Sequence, residues 1–287
     1  MKKIKGELFL LTTALIWGFA VVLQTQVVDV IGTLTFNGVR YLIGAASLLP
    51  LLKFARSGVD NKRCIGLGIV MGLCISIGAN LQMEAMAHYS SAAKVGFITS
   101  LYMVFVPILN FVMFRQKTSP FVNLSIIISV IGLYFLSGAD LSFEISDLLL
   151  IGCAFFFALQ IVLIGAYAQN VNSVQLSFVQ YISAGLSSLI FAFFFEDIQL
   201  SGIISAGGTL LYTGVLSTGV AYTLQIFGQK DTDPTVASLI LSMEAVISAI
   251  SGFLFLNQVL SLQETFGCVL MFIAVMLTQV KFKGGKA

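Results

Sequence analysis

Long apolar runs follow one another along almost the whole chain, separated by short turns. A helix of about 20 apolar residues crosses the hydrocarbon core of a bilayer, and it satisfies its own backbone hydrogen bonds there. Of the 287 residues, 58% are hydrophobic and only 10% are charged, so a soluble fold could not cover the apolar surface. The sequence therefore predicts an all-α integral membrane protein with ten transmembrane helices. The predicted spans lie near residues 7–28, 33–54, 64–86, 91–114, 121–138, 146–168, 173–195, 203–227, 235–256 and 262–280.

Lysine and arginine residues lie on one side of the predicted membrane. With the N-terminus in the cytoplasm, 13 of the 15 basic residues fall on the inner side, and the other two fall within spans. The outer connections carry acidic residues and no basic ones: Asp140, Glu144, Asp147, Glu196 and Asp197. Cytoplasmic loops of membrane proteins are enriched in Lys and Arg. We therefore expect a multi-pass protein of the plasma (cytoplasmic) membrane with both termini in the cytoplasm.

The two halves of the chain resemble each other. A nearly constant offset relates three pairs of segments: 39–41 (VRY) and 179–181 (VQY), 81–82 (LQ) and 224–225 (LQ), and 96–102 (GFITSLY) and 238–244 (SLILSME). The sequence therefore predicts two five-helix repeats, residues 1–140 and 141–287. Because five is odd, the second repeat must enter the membrane with the opposite orientation. Inverted-topology repeats are typical of secondary transporters, which bind their solute between the halves.

Several short segments also resemble those of a known family. They are residues 14–18 (ALIWG), 39–41 (VRY), 89–102 (YSSAAKVGFITSLY) and 241–244 (LSME). In order and spacing they are similar to the drug/metabolite transporter superfamily, in the branch built from two EamA domains. The resemblance covers nearly the whole chain and implies a ten-helix exporter or exchanger of small metabolites.

The chain departs from this family pattern at two positions. Ala245 stands where the family has a proline after the glutamate of the ninth helix, so the sequence gives no reason for a kink there. Gln258 stands where the family often has an acidic residue, which removes a charge near the outer loop.

Glu244 is the deepest ionisable residue of the predicted spans, about ten residues into the ninth helix. A charged group in hydrocarbon costs roughly 2.5–3.5 kcal/mol on insertion scales, so its position calls for an explanation. Its helical neighbours Ala237, Ser248 and Ser251 are small, which places Glu244 toward the protein interior. The residue is either a proton or cation partner in a transport pathway or a buried carboxyl that locks helices together.

Uncharged polar and aromatic side chains accompany this carboxyl. The eighth helix carries a stripe of such residues at helical spacing, and Tyr102 is the repeat counterpart of Glu244. Together they suit a cavity for a small polar or zwitterionic solute, although Trp17 could equally be a packing residue. The candidate cavity residues are Glu244, Tyr102, Tyr222, Gln225, Gln82, Asn80, Gln160, Trp17 and Thr218.

Other charged residues and one proline complete the candidate set. Arg40 in the second helix either meets an anionic group of the solute or has a structural role, pairing with a helix end or backbone carbonyls. Lys94 either extends to the membrane surface or forms an outer gate with Glu84. Pro107 is expected to kink the fourth helix, while its repeat counterpart is Ala249.

The sequence lacks the motifs of several function classes. It contains no G-x-x-x-x-G-K-[ST] or H-E-x-x-H pattern and one histidine, so we predict no cofactor, no metal site, no catalytic residues and no enzyme activity. The net charge of +2 predicts no nucleic-acid partner.

The favoured function is secondary transport of small metabolites, such as amino acids or related polar or amphipathic solutes, by alternating access. The expected partners are the solute and the lipid bilayer, with proton coupling and exchange both open and the oligomeric state undetermined. The alternatives are a non-transporting membrane scaffold or sensor and an intramembrane lipid-modifying enzyme.

Overall fold

The computed structural model describes residues 2–53, 61–88, 92–137, 144–256 and 259–278, and these residues form helices and no strand. We number ten helices in chain order, with α4 and α9 each in two segments. They are α1 (Lys2–Thr25), α2 (Thr33–Leu52), α3 (Asn61–His88), α4a (Ala92–Ser100), α4b (Tyr102–Phe114), α5 (Pro120–Leu136), α6 (Ile145–Tyr167), α7 (Ser173–Phe195), α8 (Gly207–Gln229), α9a (Pro234–Leu241), α9b (Met243–Leu256) and α10 (Leu262–Leu277). Two short helices, Ala168–Asn170 and Leu200–Ser205, follow α6 and precede α8.

Seven of these helices are long and apolar enough to cross a membrane. Helices α5 and α10 are apolar but shorter, and α2 has 20 residues that include the polar Asn37 and Arg40. The all-α integral membrane class predicted from the sequence is confirmed. Within the described ranges the helices coincide with the predicted apolar runs, while the count of ten membrane crossings stays a prediction.

Equivalent helices of the two halves make equivalent contacts. Helix α2 packs on α7, and α5 packs on α10. Helix α3 contacts α7 and α6, just as α8 contacts α2 and α1. Helix α1 contacts α9, just as α6 contacts α4. The two halves therefore fold alike and interlock, so that each pair of equivalent helices has equivalent neighbours.

Two glycines show how closely equivalent helices approach. A Cβ on Gly72 of α3 would clash with the carbonyl oxygen of Gln180 in α7. At the equivalent place, a Cβ on Gly214 of α8 would lie 3.1 Å from the carbonyl oxygen of Arg40 in α2, and closer still to the side chain of Ile43. Small residues let membrane helices pack backbone to backbone, and here they hold α3 and α8 against the α2–α7 pair.

The basic residues gather at one end of the bundle. Lys230, at the end of α8, donates to the carbonyl of Val171 at 2.7 Å, and its own carbonyl accepts from Gln169 at 2.6 Å. Arg63, at the start of α3, lies over the Tyr167 ring at 6.0 Å. The start of α3 and the ends of α6 and α8 therefore meet at this end.

An acidic residue caps a helix at the opposite end. Glu196 follows α7, and its carboxylate accepts from the backbone N–H groups of Leu34 and Thr35 at 2.7 and 2.8 Å. These are unpaired donors in the first turn of α2, where a negative charge is also favoured by the helix dipole. Glu196 was predicted only to lie in an outer loop, and in the structure it joins the two halves.

Helix α9 is interrupted at Ser242, although no proline follows Glu244. The sequence gave no reason to expect a kink here, and the helix is nevertheless interrupted. At the interruption the hydroxyls of Ser238 and Ser242 donate to carbonyls three residues earlier, both at 2.8 Å. Serine bonds of this kind compete with the helical ladder and bend helices.

Helix α4 is interrupted at Leu101, and its second segment runs on through Pro107. This interruption lies about 1.7 turns before Pro107, where the kink expected from the sequence stays a prediction. Leu101 and Ser242 occupy nearly the same place in the repeat. The two halves therefore break their fourth helices alike, one with a proline nearby and one without.

Candidate functional site

A cavity with a wall of polar and apolar side chains lies between the two halves. Its empty space is about 520 Å³, including its opening, and helices α1, α2, α3, α4, α6, α8 and α9 all contribute to its wall. Eight predicted residues line it: Trp17, Arg40, Gln82, Tyr102, Gln160, Tyr222, Gln225 and Glu244. Six further residues were not singled out in the sequence: Ala20, Val21, Gln24, Phe157, Ile161 and Ser217.

Repeat-related residues of both halves line this cavity. Gln82 of α3 and its counterpart Gln225 of α8 both line the wall, and so do Tyr102 of α4b and its counterpart Glu244 of α9b. The cavity therefore lies where the equivalent helices of the two halves converge, which is the place that an inverted repeat predicts for a solute site.

Arg40 brings a positive charge to the cavity. The side chain is only 4% exposed, and its Nη2 donates to the Tyr41 hydroxyl at 2.9 Å. The guanidinium lies 4.7 Å from the centre of the Tyr41 ring, where a cation–π contact adds stabilisation. Its Nε is buried and has no hydrogen-bond partner. Among the described residues no carboxylate forms an ion pair with Arg40, and its hydrogen bond and ring contact go to Tyr41.

Glu244 brings a negative charge to the same cavity. It lies in the first turn of α9b, where the helix dipole favours an anion. The carboxyl is next to the buried hydroxyl of Tyr102. No basic side chain in the described ranges pairs with Glu244.

An aromatic cluster surrounds Tyr222. Its ring centre lies 4.6 Å from Trp17, 6.4 Å from Tyr41 and 6.3 Å from Tyr181. Tyr222 is also within electrostatic reach of both Arg40 and Glu244. The cluster therefore forms an apolar surface beside the two charges.

Trp17 both lines the cavity and fixes two helices together. Its indole Nε1 donates to the carbonyl of Ser217 at 3.1 Å, which links α1 to α8. Ser217 lies in Tyr212–Tyr222, a π-helical stretch within α8. Such stretches are rare and are frequently found at functional sites. The two interpretations of Trp17 left open by the sequence are therefore compatible.

Glutamine side chains form a buried network at the cavity wall. Gln225 donates to Gln160 at 3.1 Å, and Gln160 reaches Gln180 at 3.4 Å. On the opposite wall Gln82 donates to Thr99 at 3.3 Å. Gln180 is the repeat counterpart of Arg40, so a neutral amide takes the place that a charge holds in the other half.

Asn80 and Thr218 lie outside the cavity wall, which corrects the expectation that they line it. Asn80 accepts from Asn37 at 2.8 Å and donates to Ser188 at 3.0 Å, so it joins α3 to α2 and α7. Thr218 is fully buried against Gly44. It falls in the π-helical stretch, where the wider turn breaks the 3.6-residue spacing that placed it in one stripe with Tyr222.

The predicted outer gate is only partly described. Glu84 is exposed at the end of α3, away from the cavity, and accepts from the Thr33 hydroxyl at 3.1 Å. The Lys94 side chain lies outside the described residues, so its pairing with Glu84 stays a prediction.

An apolar helical shell built from two similar halves, with one charged polar cavity between them, is the architecture of a membrane transporter. Comparison with known proteins agrees. The chain belongs to the EamA-like transporter family, whose model matches it twice, over residues 4–138 and 144–280.

Relatives along the whole chain are described as transporters too. An uncharacterized transporter from Archaeoglobus fulgidus is 30% identical over 284 residues, which cover 98% of this chain and 88% of that protein. The uncharacterized transporter YoaV from Bacillus subtilis is 20% identical over 290 residues and covers 99% of both chains. A solved crystal structure with a TM-score of 0.77 and 16% identity covers 96% of this chain and 95% of its own, which shows a shared fold.

Proposed function

We propose that this membrane transporter is a secondary transporter that moves small metabolites, such as amino acids or related polar or amphipathic solutes, by alternating access. The observation that carries the proposal is the cavity, because both halves supply its wall and it holds Arg40 and Glu244 without an ion pair in the described chain. A scaffold or sensor has no need of unpaired charges in its interior, since such charges destabilise the fold.

The helix contacts suggest how access could alternate. The α2–α7 pair lies on the pseudo-symmetry axis, and α1 and α9 contact each other just as α6 and α4 do. Exchanging the conformations of the two halves would then open the cavity to the other side of the membrane. The interruptions at Leu101 and Ser242 adjoin the cavity residues Tyr102 and Glu244, so movement of α4b or α9b would change the site.

The charge distribution supports the orientation. Lys5, Arg63, Arg115 and Lys230 belong to the end of the bundle where α1 and α3 begin and α4 and α8 end. We place that end, together with both termini, in the cytoplasm of a plasma membrane. Export or exchange then loads the solute from the basic end.

Glu244 is proposed as the coupling residue. A carboxyl that faces a cavity can bind a proton or a cation in one state and release it in another. The substitution Glu244→Gln keeps the shape and much of the hydrogen bonding of the side chain while removing its charge.

The test is solute flux in proteoliposomes that contain the purified protein. Gradient-driven or exchange flux of a small metabolite supports transport, and its loss in Glu244→Gln with exchange retained supports coupling. Membranes with the protein that show no flux above protein-free vesicles, for any solute in a panel of amino acids, amines and purines, would support a scaffold or sensor. Chemical change of the vesicle lipids would instead point to the lipid-modifying enzyme.

A further inference from the structure

We infer that the cavity selects zwitterions, with Arg40 binding the carboxylate of the solute and Glu244 binding its ammonium group. This inference rests on the proposed function, since it names the solute class of the same cavity. It adds the role of each charge and the requirement that one solute carries both.

Arg40 has hydrogen-bonding capacity that the fold leaves unused. A guanidinium has five N–H donors and always carries its charge. Here one donor reaches the neutral Tyr41 hydroxyl, and the buried Nε reaches nothing. Burying a charge without a counter-charge is unfavourable. An anionic group that enters the cavity would remove this penalty, and a carboxylate matches the planar donor geometry of arginine.

Glu244 carries the opposite charge and also lacks an ion-pair partner among the described residues. Its carboxyl faces the cavity with Tyr102 as its neighbour, and no basic side chain in the described part of the chain pairs with it. An ammonium group has three donors, which can bond to the carboxylate and to the oxygen of Tyr102.

The two charges share one cavity yet do not pair with each other. Tyr222 lies within electrostatic reach of both, so both charges lie near one aromatic surface. A solute with a single charge leaves the other protein charge unsatisfied, and a neutral solute leaves both. A zwitterion satisfies both at once, and the rings of Trp17 and Phe157 offer contact to its apolar part.

The test is ligand binding to the purified full-length protein in lipid nanodiscs. Each amino acid in a panel is measured beside its N-acetyl derivative, which keeps only the carboxylate, and its amide, which keeps only the ammonium group. We expect at least one amino acid to bind about tenfold or more tightly than either derivative, since each loses one charged hydrogen-bonding partner.

Substitutions then assign each charge to one residue. Glu244→Gln should remove the preference over the N-acetyl derivative and keep the preference over the amide, while Arg40→Gln should do the reverse. Arg115→Gln and Asp231→Asn make the same chemical changes at exposed positions near the basic end and should keep both preferences. If Arg40→Gln does not fold, Arg40→Lys keeps the positive charge and should keep the preference over the amide.

The outcomes separate this inference from the proposed function. Derivatives that bind as tightly as the free amino acid would overturn the zwitterion assignment, and so would flux of neutral solutes alone, which would leave transport standing. Amino-acid binding with both preferences but without flux would support the assignment and overturn transport.

Discussion

The two halves of the protein share their contacts but differ at the cavity. At the positions where the first half places Arg40 and Tyr102, the second half places Gln180 and Glu244. Helix α3 is α-helical throughout, whereas its counterpart α8 contains the π-helical stretch Tyr212–Tyr222. The symmetry therefore accounts for the architecture and for the position of the cavity, and the differences account for its charges and its solute.

The largest effect is expected from Glu244, since the first half has no carboxylate at the equivalent position, which Tyr102 occupies. Glu244→Gln should fold and insert normally, and gradient-driven flux should fall by about tenfold to a hundredfold, because a charged partner is lost. Flux at several pH values measures this, with Asp231→Asn as the control. If Glu244 only locks helices, Gln should transport nearly as well as wild type, and Glu244→Ala should mainly lower stability.

A second experiment moves the carboxylate from the second half of the protein to the first. Tyr102→Glu combined with Glu244→Tyr places both side chains at equivalent positions on α4b and α9b. If the symmetry of the wall is functional, the double variant should recover part of the flux that each single variant loses. Flux no better than that of the worse single variant would show that the charge must lie on α9b.

The glycine contacts give an intermediate effect. Gly72→Ala should lower the free energy of unfolding by about 1–3 kcal/mol, because the new methyl group meets the Gln180 backbone, which cannot move aside. Gly214→Ala should cost less, since it first meets the side chain of Ile43. Gly66 is the control, because nothing lies within 4 Å of its Cβ position, and Gly66→Ala should stabilise α3 by up to about 1 kcal/mol.

Denaturation of the detergent-solubilised protein measures these three changes. Equal effects at Gly72 and Gly66 would contradict the close approach of α3 and α7.

The smallest effect is expected at Pro107. Because α4 is interrupted at Leu101, Pro107→Ala should leave the break in place and change flux by less than about twofold. Replacing both Ser238 and Ser242 by alanine should have the larger effect, since it removes the hydrogen bonds that accompany the break in α9. Flux of the two variants side by side is the measurement, and a greater loss at Pro107 would reverse this ranking.

Much of this architecture was visible in the sequence because it depends on local patterns. Apolar runs of spanning length predicted the helices, and the repeat offset paired Gln82 with Gln225 and Tyr102 with Glu244 before the structure brought them to one cavity. These inferences need only the spacing of residues along the chain.

The errors arose where distant or unusual hydrogen bonds decide the outcome. Asn80 is held by Asn37 and Ser188 from other helices, which no spacing reveals. Thr218 does not share a helix face with Tyr222, although the sequence spacing predicted that it would, because α8 is π-helical there. The break at Ser242 had no proline to indicate it, and the serines at positions 238 and 242 were a further visible signal.

Counterflow in proteoliposomes is the most direct test of transport, since it asks whether a solute passes through the cavity. Vesicles are loaded with an unlabelled amino acid that binds the purified protein, and uptake of the labelled form is followed for wild type and Arg40→Gln. We expect rapid counterflow for wild type and a loss of about tenfold or more for Arg40→Gln, with Arg115→Gln unchanged. Wild-type uptake no faster than in protein-free vesicles, or equal uptake by wild type and Arg40→Gln, would contradict this expectation.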